Sequence, residues 1–266
     1  MDILLYLITL LKTRKTVGVT GLGTFYKQKL PGKYDAVQHA FIPPSYTLAF
    51  TKDLKDLKFP ASAYSAKGHV YKKQFKYKEA IDNFLIAGKQ KEGTVKGQMP
   101  FDDTDVYKII EGASNTLISE PNPKLEQLLD SLISIVKIGQ EKDGYLTTWR
   151  TINPAKPPAP WVPVIEGKRW ESLQISHELY NSGHLIEAAV VHFKATGKRN
   201  FLDIATKNAD LLVRTFGDGK DQVQGVPGHQ IVETGLVKLY QLTNNKAYLN
   251  LAKYFLDNRG NSKNHQ

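Results

Sequence analysis

A pattern in the last third of the chain recurs after 47 residues and constrains the fold more than any other feature. Each copy predicts a helix, a tight turn at Gly197 or Asn244, and a returning helix. The returning helices are expected to end at Gly217 and Gly260. The first copy reads Phe193-x-x-Thr196-Gly197, then Phe201-Leu202-x-Ile204-Ala205; the second reads Tyr240-x-x-Thr243-Asn244, then Tyr248-Leu249-x-Leu251-Ala252.

One such hairpin cannot bury its apolar face alone, so hairpins must stack as an open solenoid or a closed α/α toroid. We favour the toroid. Its loops and helix starts at one end line a central funnel and face a ligand, whereas in a solenoid they form a ridge. Segments with glycine and histidine recur where the first helices should begin, at 182–184 and 227–229. The fold class predicted for this part is mainly α.

Upstream of the repeat, apolar residues at steps of three and four predict helices over 105–118 and 123–136. Asn122, before a proline, is a typical helix start, and Asp143-Gly144 is a typical stop. Two long helices therefore precede the repeated hairpins.

Residues 151–170 contain five prolines, which exclude a helix interior and predict a long loop. The three tryptophans of the chain, Trp149, Trp161 and Trp170, lie at or inside it. Their rings suit either stacking on a sugar beside the funnel or ordinary packing, and the sequence leaves both open.

The first 58 residues differ from the rest in charge and pattern. They carry nine Lys and Arg against four Asp and Glu, a net charge of +5, whereas residues 101–266 carry 19 of each sign. β-Branched and aromatic residues with three glycines predict a hairpin over 17–29, and short strands follow at 40–42 and 47–50. A first helix ending near Thr13 is expected to pack on this small sheet.

Two motifs in this part resemble the histone-like HU superfamily, in particular its short bacterial versions. They are Gly21-Leu22-Gly23-Thr24-Phe25, and Ile42-Pro43-Pro44-Ser45 followed by Phe50 and Leu54. The resemblance implies a small α+β, nucleic-acid-binding or cell-envelope accessory module. The segment 30–38 is too short for a DNA-inserting arm, so the basic surface is expected either to be merely solvated or to bind a polyanion weakly and non-specifically.

The apolar run at residues 3–11 is about half of the roughly 20 residues that a membrane-spanning helix needs. Asp2 precedes it and Lys12 follows it, the reverse of a signal peptide. We therefore expect no membrane association and a cytoplasmic location. Small residues and a proline over 59–70 predict a linker, which divides the chain into domains 1–58 and 71–266.

Three histidines are candidate ligand contacts. His177 and His184 are seven residues apart, which places both on one face of an unbroken helix, and His229 lies at a comparable hairpin position. They suit either a shared pocket for sugar hydroxyls or structural hydrogen bonds. The acidic group Asp102, Asp103 and Asp105 is expected to cap a helix. No catalytic triad, phosphate loop or metal-ligand spacing is present.

Several segments of residues 71–262 resemble the β-L-arabinofuranosidases of glycoside hydrolase family 127. They are Phe101-Asp102-Asp103-Thr104-Asp105-Val106-Tyr107-Lys108, Gln140-Glu141-Lys142-Asp143-Gly144-Tyr145-Leu146, Arg169-Trp170, His177-Glu178-Leu179-Tyr180-Asn181-Ser182-Gly183-His184, and Pro227-Gly228-His229.

The resemblance implies the N-terminal half of an (α/α)6 toroid that hydrolyses terminal β-L-arabinofuranosides of plant polysaccharides. It also implies a zinc-bound cysteine nucleophile with a glutamate acid/base, and it carries two sugar-contacting histidines over to His177 and His229. The sequence has no cysteine. We therefore expect no zinc or other cofactor and no catalytic residue in this chain, which would be a truncated, inactive hydrolase that self-associates through the open toroid face.

Three functional hypotheses remain open. The chain is a hydrolase-derived fragment that retains part of an arabinofuranoside site, or an HU-like module that binds DNA or another polyanion with the helical part as an appendage. The third is a fusion or truncation without a selected function.

Overall fold

The computed structural model describes the strand residues 16–19, 23–30, 33–35, 40–42 and 45–51, and the continuous range 77–260. The chain divides into two compact units, Met1–His69 and Val70–Gln266. The predicted first helix ending near Thr13 and the predicted linker 59–70 lie outside the described residues.

Five strands form the described part of the first unit: β1 (Thr16–Val19), β2 (Gly23–Leu30), β3 (Lys33–Asp35), β4 (Ala40–Ile42) and β5 (Ser45–Thr51). The antiparallel sheet has the order β1-β2-β5, and β3 pairs separately with β4. Thr16 lies opposite Tyr26 in the first pair, and Thr24 lies opposite Thr51 in the second. The predicted hairpin and both later strands are confirmed.

The second unit is helical. Its described helices are α1 (77–87), α2 (Asp103–Ser119), α3 (Pro123–Gly139), α4 (Thr148–Ile152), α5 (Glu178–Thr196), α6 (Asn200–Thr215), α7 (Val232–Thr243) and α8 (Lys246–Asn258). No helix among the described residues is both long and apolar enough to cross a membrane. The two helices predicted upstream of the repeat are confirmed as α2 and α3. The second ends at Gly139, before the expected stop at Asp143-Gly144.

The helices form two layers of a partial toroid. Helices α2, α5 and α7 pack side by side as the first members of three hairpins, and α3, α6 and α8 form the second layer. Because α5 lies between α2 and α7 and also contacts α6, most of its circumference is buried. Its small and apolar residues are accordingly spread around the whole helix.

The turns of the repeated hairpins have the predicted geometry. Gly197 and Asn244 adopt left-handed conformations, with φ of 71° and 56°. Their backbone N–H groups donate to the carbonyls of Phe193 and Tyr240, at 2.8 Å in both cases. Glycine and asparagine are the residues that tolerate this conformation best, which explains both positions.

The repeat fails at the start of its first helix. Helix α5 has 19 residues and α7 has 12, so α5 begins about two turns earlier than the repeat predicts. Residues 182–184 consequently lie within α5 rather than at its start. His177 precedes the helix as its N-cap residue, so the prediction that His177 and His184 share a face of one helix is wrong.

Candidate functional site

Six aromatic and imidazole rings meet where α5 and α7 begin. We call them the ring cluster: Phe101, Trp161, His177, Tyr180, His184 and His229. They come from the turn before α2, the proline-rich loop, the start of α5 and the segment before α7. The structure therefore brings together all three histidines singled out by sequence.

His177 is held in one orientation and one tautomer. Its backbone is left-handed, with φ of 58°, and its Nδ1 lies 2.5 Å from the carbonyl oxygen of Ile175. Because a carbonyl only accepts, Nδ1 carries the proton and Nε2 keeps its lone pair. The Nε2 atom of His229 lies 3.2 Å from Nε2 of His177. Because Nε2 of His177 is the acceptor, Nε2 of His229 donates. The two histidines thus have opposite hydrogen-bonding roles.

Three other rings restrict the imidazole of His177. The ring centroids of Phe101, Tyr180 and Trp161 lie 4.8, 5.6 and 5.8 Å from it. Tyr180 also lies between His177 and His184, with its centroid 4.6 Å from the latter. Packing of this kind fixes side-chain rotamers before a ligand arrives.

The imidazoles of His177 and His184 are neutral at physiological pH. Burial, together with the charge of the nearby Lys108, lowers the pKa of His184 to about 4. Burial and the neighbouring His229 lower the pKa of His177, against the opposing effect of the bond to Ile175. The Nδ1 atom of His184 is buried and has no hydrogen-bond partner among the described residues. A site of this kind suits neutral polar groups better than anions.

Lys108 is a cation that forms a hydrogen bond with the ring cluster. Its Nζ atom donates to the hydroxyl of Tyr180 and to Oγ1 of Thr104, both at 3.1 Å. The ammonium also lies 5.1 Å from the centre of the Tyr180 ring. These contacts orient the Tyr180 hydroxyl toward α2.

A buried carboxylate anchors the start of α5 beneath the cluster. Glu178 is fully buried, and burial raises its pKa although Arg150 opposes the shift. It accepts from the hydroxyl of Tyr145 at 2.5 Å and from the backbone N–H of Trp170 at 3.2 Å. The Nε atom of Arg150 lies 3.4 Å from the same carboxylate. This network holds the extended part of α5, and with it His177.

Close backbone contacts bring His229 to His177. A Cβ atom on Gly228 would collide with the carbonyl of Gln174. A Cβ atom on Gly183 would lie 2.7 Å from the backbone of Ile231 and Val232. Glycine at both positions allows the segment before α7 to lie against α5 and the loop before it.

The three tryptophans differ in burial. Trp149 is 2% exposed, and Trp170 packs between Tyr145 and Phe216 with centroid distances of 5.3 and 5.2 Å. Trp161 is 45% exposed and meets His177 at an interplanar angle of 70°. Only Trp161, of these three, offers an open ring beside the histidines.

Contrary to the prediction, the acidic residues at the start of α2 do not cap that helix through side-chain hydrogen bonds. Asp102 is the N-cap residue but makes no side-chain cap hydrogen bond; its carboxylate accepts from the N–H groups of Gln98 and Met99. Asp103 is buried and accepts from the N–H and the hydroxyl of Thr148, at 2.8 and 2.5 Å. It therefore caps α4 instead of its own helix. Asp105 remains in the first turn of α2 without such a role.

The sequence did not identify several residues of this site. Phe101, Tyr180 and Lys108 stand in the quoted motifs, and their spacing was the available signal. Tyr180 is three residues from His177 and four from His184, and Phe101 and Lys108 are three and four residues from Thr104. Arg150 carried no signal, because a single arginine next to a tryptophan is unremarkable until its burial is known. Trp161 was noted, but its exposure was not predictable.

A shallow cavity of about 640 Å³ lies elsewhere on this unit, with Gly88, Lys142 and Arg169 in its lining. Its carboxylates, Glu141 and Asp143, each lie 2.6 Å from the guanidinium of Arg169. Both are already paired, so this cavity gives no comparable argument for ligand recognition.

A cysteine-bound zinc ion does not fit the residues of this chain. Within residues 77–260 and the described strands, no group of three or more His, Cys, Asp or Glu side chains could hold a metal ion. The sequence contains no cysteine that could act as a thiolate ligand or nucleophile. The ring cluster therefore offers neither a thiolate nucleophile nor a thiolate ligand for a metal ion.

Comparison with protein families gives two matches. Residues 60–266 match the model for the β-L-arabinofuranosidase, GH127 catalytic domain. Residues 1–56 match the model for the CCDC81-like prokaryotic HU domain 1. The two matches fall in the two parts of the chain that differ in charge.

Individual relatives agree with the first match. A non-reducing end β-L-arabinofuranosidase of Bifidobacterium longum is 37% identical over 181 residues, which cover 68% of this chain and 26% of that protein. The crystal structure of a GH127 β-L-arabinofuranosidase from Geobacillus stearothermophilus T6 is 44% identical, with a TM-score of 0.63, over 69% of this chain and 27% of that one. A further GH127 β-arabinofuranosidase structure is 51% identical, with a TM-score of 0.64, over 69% and 28%. The chain thus spans about a quarter of the length of each relative.

Proposed function

This chain belongs to the GH127 β-L-arabinofuranosidase family, and from that premise we propose that its helical unit recognises an L-arabinofuranosyl group through His177 and His229. The protein is glycoside hydrolase-like in sequence and fold. The proposal concerns what its own residues do with the sugar.

The opposite hydrogen-bonding roles of the two histidines carry the proposal. Nε2 of His177 accepts and Nε2 of His229 donates, and the two atoms are 3.2 Å apart. A hydroxyl group is both a donor and an acceptor, so one sugar hydroxyl can bind to both nitrogens in place of their mutual contact. Because the imidazole of His177 is uncharged at neutral pH, a neutral sugar is the fitting ligand.

We propose recognition without bond cleavage by these residues alone. The family resemblance implies a cysteine nucleophile, and none of the 266 residues is cysteine. We expect no release of p-nitrophenol from p-nitrophenyl β-L-arabinofuranoside, with or without added zinc. Measurable turnover by the purified chain would show that the chemistry uses other residues and would overturn this part of the proposal.

Binding is tested by calorimetry with methyl β-L-arabinofuranoside and two histidine variants. His177→Asn is preferable to alanine because asparagine tolerates the left-handed backbone at this position. We expect His177→Asn and His229→Ala each to weaken binding about two- to tenfold, since a hydrogen bond to a ligand contributes about 0.5–1.5 kcal/mol.

Gln230→Ala is the matched control, because Gln230 is the exposed neighbour of His229 and belongs to no described contact of the cluster. Its affinity should equal that of the wild type. Absence of saturable binding to the wild type, or equal affinities in all three variants, would contradict the proposal.

We propose a second function for residues 1–58, which is weak binding of a polyanion such as DNA. The match of residues 1–56 to an HU domain and the net charge of +5 favour it. Such binding is sensitive to salt because it releases counterions. We expect the full chain to be retained on a DNA or heparin column at low ionic strength and eluted by moderate salt. No retention at low salt would exclude this function.

A further inference from the structure

We infer that Trp161 is a stacking platform for the part of the ligand next to the sugar held by His177 and His229. The inference rests on the proposed function and deepens it, because it assigns a second subsite to the ligand. This neighbouring part is the sugar to which the arabinofuranosyl group is attached.

The backbone around Trp161 is fixed. Ala159 and Val162 are 1% and 3% exposed and form a small apolar cluster with the buried Trp149. Pro160 and Pro163 flank this position and restrict the backbone further. The indole is therefore presented by an anchored segment, so little conformational entropy is lost when a ligand packs on it.

The indole itself remains open although Ala159 and Val162, close to it in sequence, are buried. It is 45% exposed, whereas Trp149 and Trp170 are packed into the unit. Its ring and that of His177 meet nearly at right angles, so the imidazole can cover at most one face of the indole. Part of the indole thus stays accessible to solvent, and its ring centroid lies 5.8 Å from that of His177.

The two chemistries match the two kinds of surface on a sugar. Hydroxyl groups project from the rim of the ring and bind to imidazole nitrogens, while the C–H face is apolar and packs on an aromatic ring. Between Trp161 and His177 in the sequence, Ile165 and Ile175 are also exposed, at 71% and 38%. Binding sites commonly combine such apolar walls with a few oriented polar groups.

The test compares two ligands and two variants of the full chain. The ligands are methyl β-L-arabinofuranoside and a disaccharide of two L-arabinofuranosyl residues. For Trp161→Ala we expect the affinity for the disaccharide to fall about two- to tenfold, the range of an aromatic stacking contact. The affinity for the methyl glycoside should change less than twofold. Trp161→Phe should retain most of the disaccharide affinity, because it keeps an aromatic face.

Ile165→Ala is the matched control, since it removes exposed apolar surface from the same loop without removing the indole. It should leave the ratio of the two affinities unchanged. Fluorescence gives an independent readout: iodide should quench Trp161 selectively, and the disaccharide should protect it more than the methyl glycoside does.

Each outcome is decisive. If Trp161→Ala binds both ligands as the wild type does, or loses both equally, Trp161 is no second subsite, and sugar recognition by the histidines stands. If the wild type binds neither ligand, the proposed function fails and the platform fails with it. Thermal unfolding of the variants at the wild-type temperature excludes a folding defect as the cause of lost affinity.

Discussion

The two ends of the repeated hairpins are built differently. At the turn end, which we define by Gly197 and Asn244, both copies share one backbone geometry and the same type of hydrogen bond. At the funnel end, defined by the starts of α5 and α7, the copies differ by seven residues in helix length and carry the ring cluster. The turn end follows local backbone rules, whereas the funnel end depends on contacts between residues distant in sequence.

This difference means that the two ends of the hairpins should respond differently to substitution. A left-handed residue closes each turn, and the free-energy cost of this conformation depends on that residue's own backbone. His177 has a similar backbone conformation, with φ of 58°, but it lacks the freedom of glycine or asparagine. Its conformation is maintained by the buried Glu178 network and the surrounding rings, so the funnel end should be more sensitive to substitution.

The largest effect is expected for Glu178→Ala. It leaves Arg150, which is 3% exposed, without one of its two carboxylate partners and removes the acceptor for Tyr145. Breaking a buried ion pair costs about 3–5 kcal/mol, and urea unfolding should show a loss of that size. Glu166→Ala is the control: its ion pair with Lys168 is exposed, so a change below about 1 kcal/mol is expected. Equal losses of unfolding free energy in the two variants would show that the buried carboxylate matters no more than the exposed one.

The next effect concerns pH. Burial raises the pKa of Asp103 from its ordinary value of 3.8 to about 7. At this group the folded chain holds a proton that the unfolded chain releases between these values, so the contribution of Asp103 to stability should fall as pH rises from about 4 to about 7 and then level off. The full effect is on the order of 4 kcal/mol. Asp103→Asn should remove this contribution, so the unfolding free energy of the wild type relative to that of the variant should decrease between pH 5 and pH 8. The same pH dependence in both proteins would contradict the prediction.

A third comparison uses two glycines in first-layer helices. Gly183→Ala places a Cβ atom 2.7 Å from backbone atoms of Ile231 and Val232, so we expect a loss of about 1–3 kcal/mol from overpacking. It should also weaken arabinofuranoside binding, because it separates the segment of His229 from α5. A Cβ atom on Gly112 meets no atom within 4 Å, so Gly112→Ala should stabilise the chain by about 1 kcal/mol. A lower unfolding temperature for Gly183→Ala and a higher one for Gly112→Ala would support the close approach of α5 to the segment before α7. Shifts of the same sign in both variants would refute it.

The smallest effects belong to the turn end. Gly197→Ala introduces a side chain at φ of 71° in open space, so only the backbone cost of about 1 kcal/mol is expected. Asn244→Gly should change the unfolding free energy by less than about 1 kcal/mol, because both residues tolerate this conformation. Sugar affinity should be unchanged in both variants, and a loss of affinity would show that the two ends are coupled.

The predictability of the fold follows the same division. The repeat gave the hairpins, their turns and the layered architecture, because periodicity and left-handed turn residues act locally. Asn122 capped α3 as predicted, accepting from the N–H groups of Lys124 and Leu125 at 3.1 Å. The start of α5 was misplaced because its last determinant, the burial of Glu178 against Tyr145 and Trp170, depends on residues up to 33 positions away.

The candidate site was predictable in its members more than in its geometry. Residue types and family resemblance pointed to His177 and His229, and their sugar-binding role stays a prediction. The opposite protonation of their facing nitrogens required the position of the Ile175 carbonyl, which no pattern encodes. Asp103 shows the reverse case: it had the appearance of a helix cap, but tertiary packing directs its carboxylate to Thr148.

The burial of α5 on most sides has a consequence for synthesis of the protein. Helix α5 packs against α2, which precedes it, and against α7, which begins 36 residues after Thr196. At about 5–20 residues per second, a ribosome completes α5 roughly two to seven seconds before it reaches the start of α7. During that interval one apolar side of the nascent helix has no partner, so this stage of translation is where a chaperone would be needed most.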